Sequence, residues 1–117
     1  MKLVDSLNSA QNELSSWRQH LHQNPEVAYE EKDTSNFVAA KLESFGIEVH
    51  RGFGGTGLVG VIHGNQGDSA SGKAIGLRAD MDALPMSEET NLSYASQRQG
   101  RMHACGHDGH TTMLLAA

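Results

Sequence analysis

The spacing of apolar residues changes near Gly46, and this change constrains the fold more than any other feature of the sequence. Before it, apolar side chains recur at intervals of four and three residues, at Leu3, Leu7, Ala10, Leu14, Trp17 and Leu21. This spacing predicts one amphipathic helix of about five turns, ended by the proline of HQNPE. A second helix is predicted over 30–45, with Gly46 as its stop.

After Gly46, β-rich runs predict three strands, over 47–51, 57–64 and 73–80. A Gly/Ser/Asp-rich turn over 64–72 joins the last two, and 83–104 is predicted to be a loop with a short strand near Tyr94. A final helix is predicted to begin with Asp108 as its N-cap. This order predicts an α/β fold with helices packed on a mixed β-sheet. We expect the sheet to be incomplete, because no strand follows the last helix.

Composition limits the class of protein. The 117 residues suffice for one small domain, and a net charge of −5 disfavours nucleic acid as a partner. No apolar run approaches the ~20 residues that span a membrane, and polar residues interrupt the N-terminus too often for a signal peptide. Cys105 is the only cysteine, which excludes an internal disulfide and favours a reducing, cytoplasmic location.

The segment GFGGTG, residues 52–57, matches the GxGxxG pattern of dinucleotide-binding proteins, and Asp80 lies further along the chain. That pattern binds a pyrophosphate only where a helix follows the glycines directly. Here the following residues, LVGVIHG, are typical of a strand. The glycines therefore indicate a tight connection between two strands.

The segment HACGHDGH, residues 103–110, concentrates metal-binding side chains before the last helix. Cys105 and His107 are two residues apart, so an extended backbone can point both at one cation. A thiolate near a helix N-terminus is also favoured. Because zinc takes three or four ligands, the others must come from elsewhere. Asp80 and Asp82, just after a predicted strand, are the nearest candidates.

Other interpretations of these residues stay open. The aspartates can cap a turn, and Cys105 with a histidine can form a nucleophilic pair, although folds rarely supply such pairs at a spacing of two. A structural metal site would need four Cys/His ligands, and only one cysteine is present. His20 and His22 are expected to be capping or surface residues. The pairs Glu30–Glu31 and Glu88–Glu89 are expected to be a helix start and a solvated turn.

The chain resembles the amidohydrolase branch of the aminoacylase/carboxypeptidase metallopeptidase superfamily. The resemblance rests on three motifs in order: HLHQNPEVAYEE (20–31), GLRADMDALPMSEET (76–90) and MHACGHDGHTTMLL (102–115). That branch includes hippurate hydrolase, N-acyl-amino-acid amidohydrolases and indole-acetyl-amino-acid hydrolases. The resemblance implies hydrolysis of the amide bond of an N-acyl amino acid by water activated at a centre of two divalent ions, Zn, Mn, Co or Ni.

The resemblance also implies roles for three residues. Cys105 would bind or bridge the two ions, His107 would be a ligand to one of them, and Asp82 would be the supporting catalytic residue that orients a ligand. The roles of Asp80 and of the two flanking histidines, 103 and 110, are left open.

By the same resemblance, residues 1–117 are the N-terminal portion of the catalytic domain of a dinuclear-metal peptidase. The rest of that domain, a Glu-Glu pair containing the general base, and a lid or dimerisation domain would lie further along. We therefore expect the 117 residues alone to be inactive, and the parent to be a homo-oligomer. The alternatives are a non-catalytic metal-binding module and a subunit completed by another chain.

Overall fold

The computed structural model describes residues 2–64 and 72–117. Within these ranges the elements are α1 (Lys2–Ser9), α2 (Gln11–Gln23), α3 (Lys32–Ser44), β1 (Glu48–Phe53), β2 (Gly57–Val61) and α4 (His107–Ala116). Helices beside a sheet confirm the predicted α/β class. Residues 65–71, which hold most of the turn predicted over 64–72, lie outside the described residues.

The first predicted helix is in fact two, because the helix is interrupted at Ala10 (φ −87°, ψ 0°). Only the second half of the apolar stripe is buried: Trp17 and Leu21 lie in the core, whereas α1 has no buried residue. Helices in proteins are stabilised mainly by packing of their apolar face. Within the described residues α1 buries no side chain, so packing does little to enforce a continuous helix through Ala10.

The start of α3 is held by a side chain that precedes it in the chain. Glu26 Oε1 accepts hydrogen bonds from the backbone N–H of Thr34 at 2.6 Å and from its hydroxyl at 2.7 Å. Glu26 Oε2 accepts the N–H of Asp33 at 3.1 Å. These amides belong to the first turn, where no carbonyl of the helix can reach them. The predicted helix over 30–45 is thus confirmed, with bounds about two residues shorter.

β1 and β2 form an antiparallel hairpin, with Arg51 opposite Leu58. Gly54 and Gly55 in the turn between them have φ of 59° and 92°, and Gly52 near the end of β1 has φ of 94°, a region that favours glycine. GFGGTG is therefore the hairpin connection that the sequence predicted. Gly60 of β2 faces α3, since a Cβ there would lie 3.3 Å from a methyl carbon of Leu42.

The strand predicted over 73–80 is wrong for this chain. Residues 72–82 form no strand in the structure, and Ile75 and Leu77 are 92% and 71% exposed. A strand needs a neighbour for its backbone amides, and the two strands of the hairpin pair only with each other. Across the described ranges the sheet is consequently two-stranded and antiparallel rather than mixed.

Residues 83–104 form the predicted loop, and the described structure has no strand near Tyr94. Two isolated bridges fasten this segment: Val27 pairs with Ala83 in parallel, and Leu84 pairs with Met102. The N–H of Ala83 donates to the carbonyl of Glu26 at 2.7 Å. These contacts hold the segment after Asp80 between the end of α2 and the start of α4. No helix in the described part of the chain has the length and apolar character needed to cross a membrane.

Candidate metal centre

The start of α4 determines where the cysteine and histidine of the last motif lie. Gly106 precedes the helix with φ 90° and ψ 14°, in the left-handed region that favours glycine. His107 is consequently the first helical residue, and Cys105 lies just before the turn, exposed to solvent. The N-cap position belongs to Gly106, so the prediction of Asp108 as N-cap is wrong. Asp108 lies in the first turn, and its carboxylate is hydrogen-bonded to side chains of α2.

His107 is held by Asp82. Its Nδ1 lies 2.9 Å from both the carboxylate Oδ1 and the backbone carbonyl oxygen of Asp82. Both oxygens are acceptors, so Nδ1 carries the proton and Nε2 of the neutral ring keeps its lone pair. Histidine ligands in metal sites are typically held in this way, by a carboxylate or a carbonyl at the other ring nitrogen.

The donor set fits part of a metal centre. A thiolate at Cys105 and an imidazole nitrogen at His107 are donors that zinc and related ions prefer. Nowhere in the described residues do three Cys, His, Asp or Glu side chains converge as a complete ligand set would. His110 lies on the same helix, with its ring centroid 5.5 Å from that of His107. Cys105 and His107 thus offer two donors, one of them an imidazole already oriented by Asp82. We call Cys105, His107 and Asp82 the half-site.

Asp80 contacts α4 through its backbone, since its carbonyl accepts the Thr111 hydroxyl at 3.1 Å. Its carboxylate is bound by Arg78 at 2.8 Å on the exposed surface. The hydrogen bond and the positive charge of Arg78 lower the pKa of Asp80 below its usual value. The structure thus pairs Asp82, rather than the Asp80 carboxylate, with a candidate ligand.

Next to this half-site lies a buried polar cluster that the sequence reasoning missed. His22 Nδ1 lies 2.8 Å from Asp108 Oδ2, and His22 Nε2 lies 3.0 Å from Glu88 Oε1. Arg18 Nε donates to the same Asp108 oxygen at 2.9 Å. The side chains of His22, Asp108 and Glu88 are 4%, 1% and 3% exposed. We call His22, Asp108, Glu88 and Arg18 the buried polar cluster.

One expectation is wrong here and another is wrong in part. His22 is buried rather than a capping or surface residue. Of the pair expected in a solvated turn, Glu89 is exposed, whereas the side chain of Glu88 is only 3% exposed. His20 is exposed as expected, with its ring stacked on Phe37. The sequence did contain a signal for the cluster. Arg18 and His22 are four residues apart and hence on one helix face, where two basic side chains are favourable only beside an acidic partner.

The cluster also changes acidity. Burial raises the pKa of Asp108, but the hydrogen bond from His22 and the positive charge of Arg18 outweigh burial and bring it below its ordinary value. The pKa of Glu88 is lowered in the same way, because hydrogen bonds from Thr90, Ser96 and His22 together outweigh burial.

His103, beside the cluster, is 4% exposed, and burial lowers the pKa of its ring. Among the described residues neither ring nitrogen of His103 has a hydrogen-bond partner. The structure therefore buries His103 beside the cluster, with its ring centroid 6.4 Å from that of His22, and leaves its role open.

The chain is similar to known proteins over its whole length. Residues 76–117 match the family model described as Peptidase family M20/M25/M40. The chain is 50% identical over 117 residues to hippurate hydrolase of Campylobacter jejuni, covering 100% of this chain and 30% of that protein. It is 44% identical over 115 residues to N-acyl-L-amino acid amidohydrolase of Geobacillus stearothermophilus, covering 97% and 29%. The chain thus spans about 30% of the length of these relatives.

Solved structures give the same picture. A Bacillus subtilis protein described as a dinuclear metal binding peptidase from the M20 family superposes with a TM-score of 0.83 at 38% identity, covering 92% of this chain and 29% of that one. A protein of methicillin-resistant Staphylococcus aureus superposes with a TM-score of 0.85 at 40% identity, covering 97% and 29%.

Proposed function

Because the chain belongs to the M20/M25/M40 peptidase family, as its motifs predicted, we propose that it is the N-terminal part of a metal-dependent amidohydrolase acting on N-acyl amino acids. The pairing of His107 Nδ1 with Asp82 at 2.9 Å, two residues from Cys105, carries the proposal. Relatives named for hippurate, N-acyl-L-amino acids and N-acetyl-L-cysteine all act on the amide bond of an N-acyl amino acid. That shared chemistry supports the substrate class.

In this proposal the Cys105 thiolate and Nε2 of His107 would hold divalent ions, two in the complete centre and of the Zn, Mn, Co or Ni type. Such ions, when bound, supply Lewis-acid chemistry: they lower the pKa of water and polarise a carbonyl oxygen. Asp82 accepts a hydrogen bond from the Nδ1–H of His107, which fixes the ring and makes the lone pair of Nε2 a stronger ligand for a metal ion. The thiolate charge of Cys105 offsets part of the positive charge of the ions.

The remaining parts of the proposal concern the whole protein. We propose that residues beyond this chain supply the general base and the other ligands, so that the 117 residues alone do not hydrolyse hippurate. A homo-oligomeric parent and a cytoplasmic location are part of the same proposal, and the single cysteine is compatible with a reducing compartment.

The metal half-site is tested by titrating the chain with Co(II) and recording the thiolate-to-cobalt charge-transfer absorption. We expect a band in the wild-type chain, no band in Cys105→Ser, and an unchanged band in the matched control His20→Ala, whose histidine is exposed. Asp82→Ala should weaken Co(II) binding about 10–100-fold, because His107 loses the acceptor that orients it. A wild-type chain without a Cys105-dependent band would contradict the metal assignment.

The activity is tested with a chimera in which this chain replaces the matched part of the Campylobacter jejuni hippurate hydrolase. We expect the chimera to hydrolyse hippurate and its Cys105→Ser variant to be inactive. Hydrolysis by the 117-residue chain alone, abolished in Cys105→Ser, would refute the proposal that catalysis needs the longer protein. A folded chimera without activity would count against the substrate class.

A further inference from the structure

One imidazole connects three separate segments of the chain. His22 comes from α2, Asp108 from the first turn of α4, and Glu88 from the second motif, in the loop that precedes α4. The ring lies 2.8 Å from the Asp108 carboxylate and 3.0 Å from the Glu88 carboxylate. All three side chains are at least nine-tenths buried, so water does not compete for these hydrogen bonds.

Both carboxylates lie next to residues of the half-site. Asp108 directly follows His107 at the start of α4, and Glu88 is six residues after Asp82 in the same segment. The contact between Asp82 and His107 at 2.9 Å therefore joins the same two segments that His22 joins through Glu88 and Asp108. Arg18 provides a second contact to Asp108, and its side chain is 38% exposed.

The chemistry of this position is specific. An apolar side chain could occupy the volume of the ring, but each of the two buried carboxylates would lose a hydrogen-bond partner, which is costly. Asp108 would keep only Arg18 as a side-chain donor, and Glu88 would keep Ser96 and Thr90. Hydrogen bonds also fix direction, whereas apolar contacts allow adjacent segments to slide. The imidazole thus sets the relative placement of the two segments instead of only filling space between them.

We propose that His22 is a positioning residue for the half-site: by joining Asp108 to Glu88, it fixes the first turn of α4 against the segment that carries Asp82. The role rests on the proposed function, because it acts through the His107–Asp82 pair. The hydrogen bonds and ring contacts of His22 within the described residues are with Asp108, Glu88, Tyr94 and His103, and none of these is a candidate ligand. Its loss should leave both ligands in place and disturb their orientation.

The first test needs no metal. Histidine-ring nitrogen NMR of the wild-type chain should show His107 as a single tautomer with the proton on Nδ1, because Asp82 accepts there. In His22→Ala the His107 signals should shift toward a mixture of tautomers. In His20→Ala, the matched loss of an exposed histidine two residues away on the same helix, they should stay unchanged.

The second test is the Co(II) titration. We expect His22→Ala to bind Co(II) about tenfold more weakly than the wild type, and His20→Ala to bind as the wild type does. Circular dichroism of each variant checks that the helices remain. A folded His22→Ala chain with the wild-type His107 tautomer and the wild-type Co(II) affinity would overturn the positioning role.

Should His22→Ala fail to fold, Glu88→Ala decides the question. This variant removes the acceptor at one end of the imidazole, so His22 can no longer join Asp108 to the segment that carries Asp82. Unchanged NMR and Co(II) readouts in a folded Glu88→Ala chain would overturn the role, and a shift in the same direction as expected for His22→Ala would support it. A wild-type chain without a Cys105-dependent cobalt band refutes the proposed function instead, and the metal-free NMR still decides whether His22 holds His107.

Discussion

Replacing Asp108 by Asn should lower the free energy of unfolding by about 2–4 kcal/mol. A buried hydrogen bond to a charged group contributes about 1.5–3 kcal/mol. The bond from His22 counts in full because both side chains are buried, at 4% and 1% exposure. The bond from Arg18 counts for less, because that side chain is 38% exposed and solvent screens it. An amide at this position keeps one oxygen acceptor, which holds the loss below that of removing the side chain.

The measurement is urea unfolding followed by circular dichroism, with Asp33→Asn as matched control. Asp33 also pairs with an arginine, Arg98, at 2.6 Å, but its side chain is 66% exposed. We expect Asp33→Asn to cost less than about 1 kcal/mol. Equal losses in the two variants would refute the reasoning, because they would mean that burial does not strengthen the Asp108 contacts.

The difference in unfolding free energy between the wild type and Asp108→Asn should depend on pH, and the pKa of Asp108 gives the direction of that dependence. The pKa of folded Asp108 lies below its ordinary value of 3.8, because the His22 hydrogen bond and the Arg18 charge outweigh the opposing effect of burial. A group with a depressed folded pKa stabilises fully above its unfolded pKa and loses that contribution as the pH falls through the folded pKa. The gap between wild type and Asp108→Asn should therefore be widest well above 3.8 and narrow on acidification below it. A gap that widens on acidification would contradict the assignment.

Two further substitutions test the fold that carries the site. Glu26→Ala should cost about 1–3 kcal/mol and increase amide exchange in the first turn of α3, because the N–H of Thr34 loses an acceptor at 2.6 Å; unchanged exchange there would contradict the capping role. Gly57→Ala should cost about 1–3 kcal/mol in thermal unfolding, since its Cβ would lie 2.6 Å from the Phe53 carbonyl oxygen. Gly64→Ala, where a Cβ meets nothing within 4 Å, is the control and should be neutral.

Local patterns predicted the elements that local interactions stabilise. The periodicity over 30–45 and the glycine-rich hairpin over 52–57 both have their partners close in sequence, and both are found in the structure. The β-rich run over 73–80 has the composition of a strand, but a strand forms only beside another strand. The pattern indicates which side chains prefer burial and not which segment covers them, so the prediction failed there.

In the half-site, too, local features could be predicted and contacts between distant residues could not. Cys105 and His107 were identified as candidate ligands by spacing, and Asp82 by resemblance, and the structure brings Asp82 and His107 together. The buried polar cluster was not predicted, because a buried imidazole between two carboxylates depends on contacts across more than sixty positions of the chain. A spacing of four between Arg18 and His22 indicated a shared anion, but nothing local identified Asp108 as that anion.

The three motifs behind the resemblance acquire a physical connection from this cluster. Each contributes one member: His22 comes from the first motif, Glu88 from the second and Asp108 from the third. The candidate ligand and its supporting aspartate come only from the third and second motifs, so metal chemistry alone gives the first motif no task. A ligand must be held in position by its surroundings to bind a metal well. The role of the first motif is therefore structural: His22 holds the other two motifs in the arrangement in which His107 meets Asp82.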